Sequence, residues 1–211
     1  MIHKLSDFFL KSNISFSLEE ENFKKSVKGM FGFCIHQTHF VKGAMHQYHL
    51  YIWADFAEEG VLNHSEIHLP SDCPYSEKDI IATYFNSFHL ASDEYSETYL
   101  HLYDFRSALI AYAYGQGIVD LRACLKDNPL WKNAKIYVNY TNLTYCVVYD
   151  RENRCVTDEE YQELSHLCLS ALKVHDAYHV IGMSDVRLVV THKDDTNTRE
   201  WNDIFMTNFC G

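Results

Sequence analysis

Apolar and polar residues alternate along three short stretches between Met30 and Leu69, and this is the strongest structural signal in the chain. A period of two residues is typical of β-strands that bury one face. Lys42-Gly43 and Glu58-Glu59-Gly60 supply turn residues between the stretches, and Pro70 follows the third. The pattern predicts three consecutive antiparallel strands, joined as a meander.

Helical patterns follow this region. Ser76 and Thr157 each open a segment with the residues of a capping box, and residues 94–114 carry apolar side chains on all sides, which predicts a buried central helix. Gly115-Gln116-Gly117 is expected to end that helix. Later strands are predicted at 135–140, 144–150 and 186–191, and short helices at 2–12 and after Thr198. The order of elements predicts an α+β protein with a mainly antiparallel sheet and helices packed on one face.

Length and composition predict one soluble domain spanning residues 1–211, since a chain of this size can bury a substantial core. No apolar run reaches the roughly 18 residues that a membrane span needs. The first residues lack the layout of a secretory signal, and the 7 cysteines, odd in number and without Cys-x-x-Cys spacing, fit reduced thiols. We therefore expect a cytoplasmic protein without a membrane partner.

The charge balance indicates what kind of partner the chain binds. It carries 29 acidic against 18 basic residues, a formal charge of −11, which argues against nucleic acid as a partner. No motif for nucleophilic catalysis or phosphate transfer occurs, which favours a role other than catalysis. The leading hypothesis is protein–protein binding to a basic partner, as by an inhibitor or immunity-type protein that blocks a basic toxin or nuclease. Its 15 tyrosines could contribute to such an interface.

Histidine is unusually frequent, with 13 residues, and three histidines fall at corresponding positions of the predicted meander. If Lys42-Gly43 is a two-residue hairpin loop and residues 57–60 form the second turn, His36 lies opposite His49 and His49 opposite His68. Neighbouring strands are about 4.8 Å apart, so three imidazoles on one face could bind a single zinc ion. The open fourth position of such a site would activate water.

In the same register Tyr51 lies opposite Glu66, next to the pair formed by His49 and His68. Glu66 would then act as a catalytic base and Tyr51 as a supporting group. The alternative function is therefore a metal-dependent, zinc-type hydrolase. Two other interpretations stay open: a polar strand face often carries histidine without a ligand, and a three-residue loop with a bulge at Gly43 would break the row.

His175 and His179 form a second candidate metal pair, because they are four residues apart in a helix predicted to continue to about Gly182. The pattern differs from His-Glu-x-x-His, since Asp176 stands in place of the glutamate. A half-buried helix face explains the same spacing without a metal. The sequence leaves open the oligomeric state, including a homo-oligomeric structural role, and whether any metal is bound.

Overall fold

The computed structural model describes residues 17–43, 47–56, 66–69, 71–91, 97–140, 142–153 and 155–197. These residues combine helices with two three-stranded sheets, so the chain is an α+β protein. The helices are α1 (Leu18–Phe31), α2 (Glu77–Ser87), α3 (Phe105–Lys126) and α4 (Asp158–Lys173). The strands are β1 (Ile35–Lys42), β2 (Tyr48–Ala54), β3 (Thr98–Asp104), β4 (Lys135–Asn139), β5 (Thr144–Tyr149) and β6 (Leu188–His192). The helices predicted at 2–12 and after Thr198 lie outside the described residues.

The chain divides into two compact units, and the boundary falls between Ala108 and Leu109, inside α3. Sheet β1-β2-β3 belongs to the N-terminal unit and sheet β4-β5-β6 to the C-terminal unit. The expectation of a single domain spanning 1–211 stays a prediction. Among the described residues, none of the helices combines the length and apolarity needed to cross a bilayer.

Both sheets are mixed, so the prediction of a mainly antiparallel sheet is wrong. In each sheet the central strand has one antiparallel and one parallel neighbour: β2 pairs with β1 and β3, and β5 pairs with β4 and β6. A parallel pair needs a crossover connection rather than a tight turn. In the N-terminal unit α2 lies in the connection between β2 and β3, and in the C-terminal unit α4 lies between β5 and β6.

The predicted meander is also wrong, because its third strand does not pair with β2. Leu50 of β2 lies opposite Leu100 of β3, whereas the sequence pattern had paired it with Ile67. Ile67 instead forms an isolated antiparallel bridge with Leu102, on the β3 side of the sheet. The turn predicted at 57–60 lies outside the described residues.

Residues 98–104 form a strand, and this contradicts the prediction of a central helix over 94–114. Large apolar or aromatic side chains occupy both faces of this strand, and they imitate the pattern of a helix buried on all sides. The helix begins directly after it, because the buried carboxylate of Asp104 accepts a hydrogen bond from the backbone N–H of Ser107 at 2.8 Å. A side-chain acceptor at this position satisfies one of the unpaired N–H groups at a helix start.

The core of the N-terminal unit lies between one face of its sheet and the two helices α1 and α2. α1 contributes Phe23 and Val27, and the sheet contributes Leu50 and Leu102, all of which are almost completely buried. The predicted capping box at Ser76 is confirmed, and it begins α2 where the sequence pattern placed it. Because side chains alternate along a strand, the opposite face of the sheet is free of these helices.

In the C-terminal unit, two buried tyrosines connect α3 to the sheet. The Tyr145 hydroxyl donates a hydrogen bond to the carbonyl oxygen of Tyr114 at 3.1 Å. The Tyr114 hydroxyl donates to the carbonyl oxygen of Asp185 and accepts from the N–H of Arg187. Burial raises the pKa of both phenols, so they stay neutral and keep these hydrogen bonds.

Gly115-Gln116-Gly117 does not end α3, which continues to Lys126, so the predicted helix break is wrong. A Cβ added at Gly117 would lie 2.8 Å from the Tyr145 hydroxyl and 3.0 Å from the carbonyl oxygen of Ala171. Glycine is therefore present because α3 packs very closely against β5 and α4 at this point. At Gly115 the nearest atom, in the Tyr140 ring, is at an ordinary contact distance of 3.6 Å.

The capping box predicted at Thr157 is confirmed, and it is joined by an ion pair. The Thr157 hydroxyl accepts from the N–H of Glu160, and the Glu160 carboxylate accepts from the N–H of Thr157. That carboxylate also accepts two hydrogen bonds from the guanidinium of Arg151, at 2.6 and 2.8 Å. These bonds, chiefly those from Arg151, lower the pKa of Glu160 from its ordinary value of 4.5 to about 2.

α4 ends at Lys173 and does not continue towards Gly182 as the apolar spacing had predicted. The cause is Asp176, whose buried carboxylate accepts hydrogen bonds from the backbone N–H groups of Val180 and Ile181. An aspartate that binds the backbone N–H groups following it stabilises a turn in place of a helix.

We predict that Gly117→Ala destabilises the protein by about 1–3 kcal/mol, because the added methyl group overpacks the contact with Tyr145 and Ala171. Gly115→Ala is the matched control. It is expected to stabilise the protein by about 0.5–1 kcal/mol through helix propensity, since its Cβ meets no close neighbour. Urea unfolding of both variants measures the effect, and equal responses would contradict the close approach at Gly117.

We predict that Glu160→Gln lowers the thermal midpoint by a few degrees at neutral pH. The folded-state pKa of Glu160 lies below its ordinary value, so the stabilisation is fully present above 4.5 and is lost as the pH falls towards about 2. The difference between wild type and variant should therefore shrink between pH 7 and pH 3. Glu159→Gln, in the same helical turn, is the control and should lower the thermal midpoint less at neutral pH. A Glu160→Gln difference that is equal at both pH values would contradict the prediction.

Candidate functional site

The candidate site lies on the face of sheet β1-β2-β3 that points away from α1 and α2. We call it the histidine face and define it by the side chains of six residues, which come from all three strands and from the segment that bridges β3. They are His39, His49, Tyr51, Glu66, Tyr99 and His101. Strand alternation puts these side chains together, because their neighbours in sequence point into the core.

A chain of hydrogen bonds runs through the centre of the histidine face. Nδ1 of His101 lies 3.0 Å from Oε1 of Glu66, and Nε2 of His101 lies 2.9 Å from Nδ1 of His49. An ionised carboxylate only accepts hydrogen bonds, so Nδ1 of His101 is the donor to Glu66. In a neutral ring Nε2 of His101 then accepts from Nδ1 of His49, which leaves Nε2 of His49 as a proton acceptor.

The rings of the histidine face are stacked in a continuous layer. His101 lies on Tyr51 with ring centroids 4.6 Å apart, and His49 lies on Tyr99 at 5.6 Å. His39 on β1 extends the layer towards Tyr51 at 6.3 Å. Stacking and hydrogen bonding together restrict the rotamers of these side chains, so the face is organised before any ligand arrives.

Exposure to solvent varies strongly across this face of the sheet. Trp53 is only 5% exposed, whereas Tyr99 is 51% exposed and is the most accessible ring of the layer. The pKa of Tyr103, which lies beside Trp53 on β3, is raised by burial and by the nearby Glu66 and Tyr51, so its phenol stays protonated. An incoming molecule would therefore meet Tyr99 and the edges of the two linked histidines.

The structure does not bring His36, His49 and His68 together, because the predicted strand register is wrong. Val41 lies opposite His49, and Thr38 opposite Ile52, with an irregularity between Ile35 and Gln37. The predicted register has His36 opposite His49, whereas in the structure the residue opposite His49 is five positions further along β1. The N–H of Gly43 donates to the carbonyl oxygen of Gln47 at 2.7 Å, so Lys42-Gly43 is not the hairpin loop.

Each of the three predicted ligands has its own partner. Nε2 of His36 lies 2.6 Å from Oδ1 of Asp55, and its ring stacks on Phe105. His49 is bonded to His101, and the exposed His68 has Nδ1 3.6 Å from Oε1 of Glu77. The Asp55 carboxylate accepts a hydrogen bond that orients His36, whereas His68 and Glu77 are too far apart for one.

Glu66 and Tyr51, the predicted catalytic residues, do lie with His49, although His101 stands between Glu66 and His49. Their catalytic role stays a prediction. Sequence analysis missed His101 because it fell inside the helix predicted over 94–114. The signal was present: in Thr98–Asp104 aromatic or histidine side chains alternate with leucines at a period of two.

His175 and His179 do not lie one above the other on a helix. His175 follows the end of α4, and its Nε2 lies 2.7 Å from Oδ2 of Asp120. His179 has a positive φ of 58°, in the turn that Asp176 stabilises. Across the residues that the structure describes, no group of three or more His, Cys, Asp or Glu side chains could hold a metal ion. Metal binding at either predicted set stays a prediction.

We predict that His101→Phe destabilises the protein by about 1 kcal/mol, because phenylalanine keeps the stacking on Tyr51 but removes both hydrogen bonds. His166→Phe, at an exposed position of α4, is the control and should change stability by less than about 0.5 kcal/mol. Urea unfolding gives the stabilities. Nitrogen NMR of the imidazoles should show that the His49 Nδ1–H signal weakens in His101→Phe, and an unchanged signal would contradict the hydrogen-bond chain.

Comparison of the chain with protein-family models, with curated proteins and with solved structures found no match in any of the three.

Proposed function

We propose that the protein acts by binding a basic protein and that the histidine face of the N-terminal unit is the binding surface. The observation that carries the proposal is Tyr99, a large ring that is 51% exposed and is held in place by stacking on His49. Ordered, partly exposed tyrosines are favourable at protein interfaces because they bury much area and lose little side-chain entropy.

The distribution of charge supports a basic partner. Residues 13–108 contain fourteen acidic and six basic side chains, so this unit holds eight of the eleven surplus negative charges. Two carboxylates are partly exposed beside histidines, Glu66 at His101 and Asp55 at His36. A negative surface accelerates encounter with a positive partner and disfavours acidic ones.

The chemistry of the histidine face suits lysine and arginine side chains. The exposed ring of Tyr99 is attractive to cations, and arginine binds such rings particularly well. Glu66 provides a carboxylate whose position is fixed by His101. A guanidinium that stacks on Tyr99 and reaches Glu66 would combine a cation–π contact with an ion pair.

The partner class that we propose is a basic toxin or nuclease in the cytoplasm, which the protein would inhibit by covering its positive surface. The zinc-type hydrolase is the alternative expected from the sequence, but no contact among the described residues favours it. The binding role requires neither a metal nor a nucleophile. It requires only that the histidine face is accessible to a second protein.

The test places a photo-crosslinking benzoylphenylalanine at position 99 and identifies what it captures in cells of the native source. The captured protein should be basic, and its purified form should bind wild type with an affinity that falls as salt rises. Tyr99→Ser should weaken that binding by about 2 kcal/mol, roughly thirty-fold. Titration calorimetry at low and high salt gives the dissociation constants.

Tyr161→Ser is the matched control, because Tyr161 is also exposed, at 41%, but lies on α4 in the C-terminal unit. It should bind the partner as wild type does. Capture of acidic proteins alone, or an equal loss of affinity in both tyrosine variants, would overturn the assignment of the histidine face.

A further inference from the structure

A cleft in the C-terminal unit contrasts with the negative charge of the chain. It has a volume of about 680 Å³ and lies between the last turns of α3, the segment that follows, and β4. Ten residues line it, and none of them is acidic; four are cationic, namely Arg122, Lys126, Lys132 and Lys135. Its volume is within the range of small-molecule binding sites.

We propose that this cleft binds a compact ligand that carries linked phosphate groups. Four of the ten basic residues in 109–211 line the cleft, so the concentration of positive charge is local. Lys126, Lys132 and Lys135 form no ion pair in the part of the chain that the structure describes. A ligand with several closely spaced negative charges is the chemical class that such a cluster recognises.

Arg122 is positioned to take part in this recognition. One of its terminal nitrogens donates to the carbonyl oxygen of Ile136 at 3.0 Å, which fixes the guanidinium between α3 and β4. A guanidinium has five N–H donors, so others stay available for phosphate oxygens. Lys126 is four residues further along α3 and therefore lies on the same side of the helix.

Helix electrostatics explains only one of these cations. Lys126 is in the last turn of α3, where a positive side chain offsets the partial negative charge of the helix end. Lys132 and Lys135 are outside the helix, and Arg122 is one turn earlier. Three of the four cations therefore have no role in compensating the helix dipole.

Trp131 forms part of the wall and gives the cleft a natural reporter. The side chain is completely buried, and its Nε1–H has no hydrogen-bond acceptor among the described residues. Ligand binding is then expected to change the fluorescence of Trp131.

The experiment titrates the full-length protein with sodium tripolyphosphate and follows heat and tryptophan fluorescence. One equivalent should bind saturably, and the affinity should fall as sodium chloride is added. Lys132→Gln/Lys135→Gln should weaken binding about tenfold or more, because each substitution removes a charge-assisted hydrogen bond. Lys173→Gln, at the end of α4 and outside the cleft, should bind like wild type.

A titration with ATP tests whether the linked phosphate groups can belong to an organic molecule or must be inorganic polyphosphate. If ATP binds and loses affinity in the double variant, the cleft accepts phosphate groups attached to an organic molecule. The proposal is overturned if tripolyphosphate fails to bind saturably at millimolar concentration, or if Lys173→Gln loses as much affinity as the double variant. Neither result would bear on partner binding, because Tyr99 belongs to the other unit.

Discussion

The parallel pairing of β2 with β3 determines which side chains of the N-terminal unit are buried and which form the histidine face. Leu50 and Ile52 lie beside Leu100 and Leu102, and together they supply the strand side of the core. His49 must then lie beside Tyr99, and Tyr51 beside His101, on the opposite face. A slip of one residue would expose the leucines and bury the histidines, so hydrophobic burial fixes the geometry of the candidate site.

The same constraint explains how far sequence reasoning could go. Local signals were sufficient where the chemistry is local: the capping boxes at Ser76 and Thr157 and the strands of the second hairpin occur as predicted. Strand order is a non-local property, and the parallel partner of β2 is separated from it by α2. The alternation between Met30 and Leu69 therefore indicated β1 and β2, but it could not show that residues 98–104, rather than the stretch around Ile67, are the neighbour of β2.

The residues of the site were found only in part for the same reason. His49, Tyr51 and Glu66 were selected on a register that the structure contradicts, and they are nevertheless close, because polar strand positions collect on one face whatever the pairing. His101 was missed, since a strand with large side chains on both faces resembles a buried helix. A pattern can identify the face on which a residue lies, whereas contacts between strands depend on the register.

Single residues with special roles account for the remaining differences between the helices predicted from the sequence and those in the structure. Gly117 looked like a helix break, but it removes a side chain where α3 meets Tyr145 and Ala171. Asp176 stood in place of the glutamate of a His-Glu-x-x-His pattern, but its carboxylate ends the helical region by binding two backbone N–H groups. In both cases the residue type indicated a special structural role. Which role it was depended on a neighbour distant in sequence for Gly117 and on hydrogen bonds to the backbone for Asp176.

Charge is distributed unevenly along the chain, and the two surfaces that we propose have opposite charge preferences. At physiological ionic strength the field of an exposed charge decays over about 8 Å, so a ligand responds to nearby groups rather than to the net charge of −11. The four cations of the cleft can therefore attract an anion although the chain as a whole repels it. The histidine face depends on charge to a smaller degree, because stacked rings contribute buried area that salt does not screen. Binding at the cleft should therefore depend more steeply on salt than binding at Tyr99, since only the histidine face has a large apolar contribution.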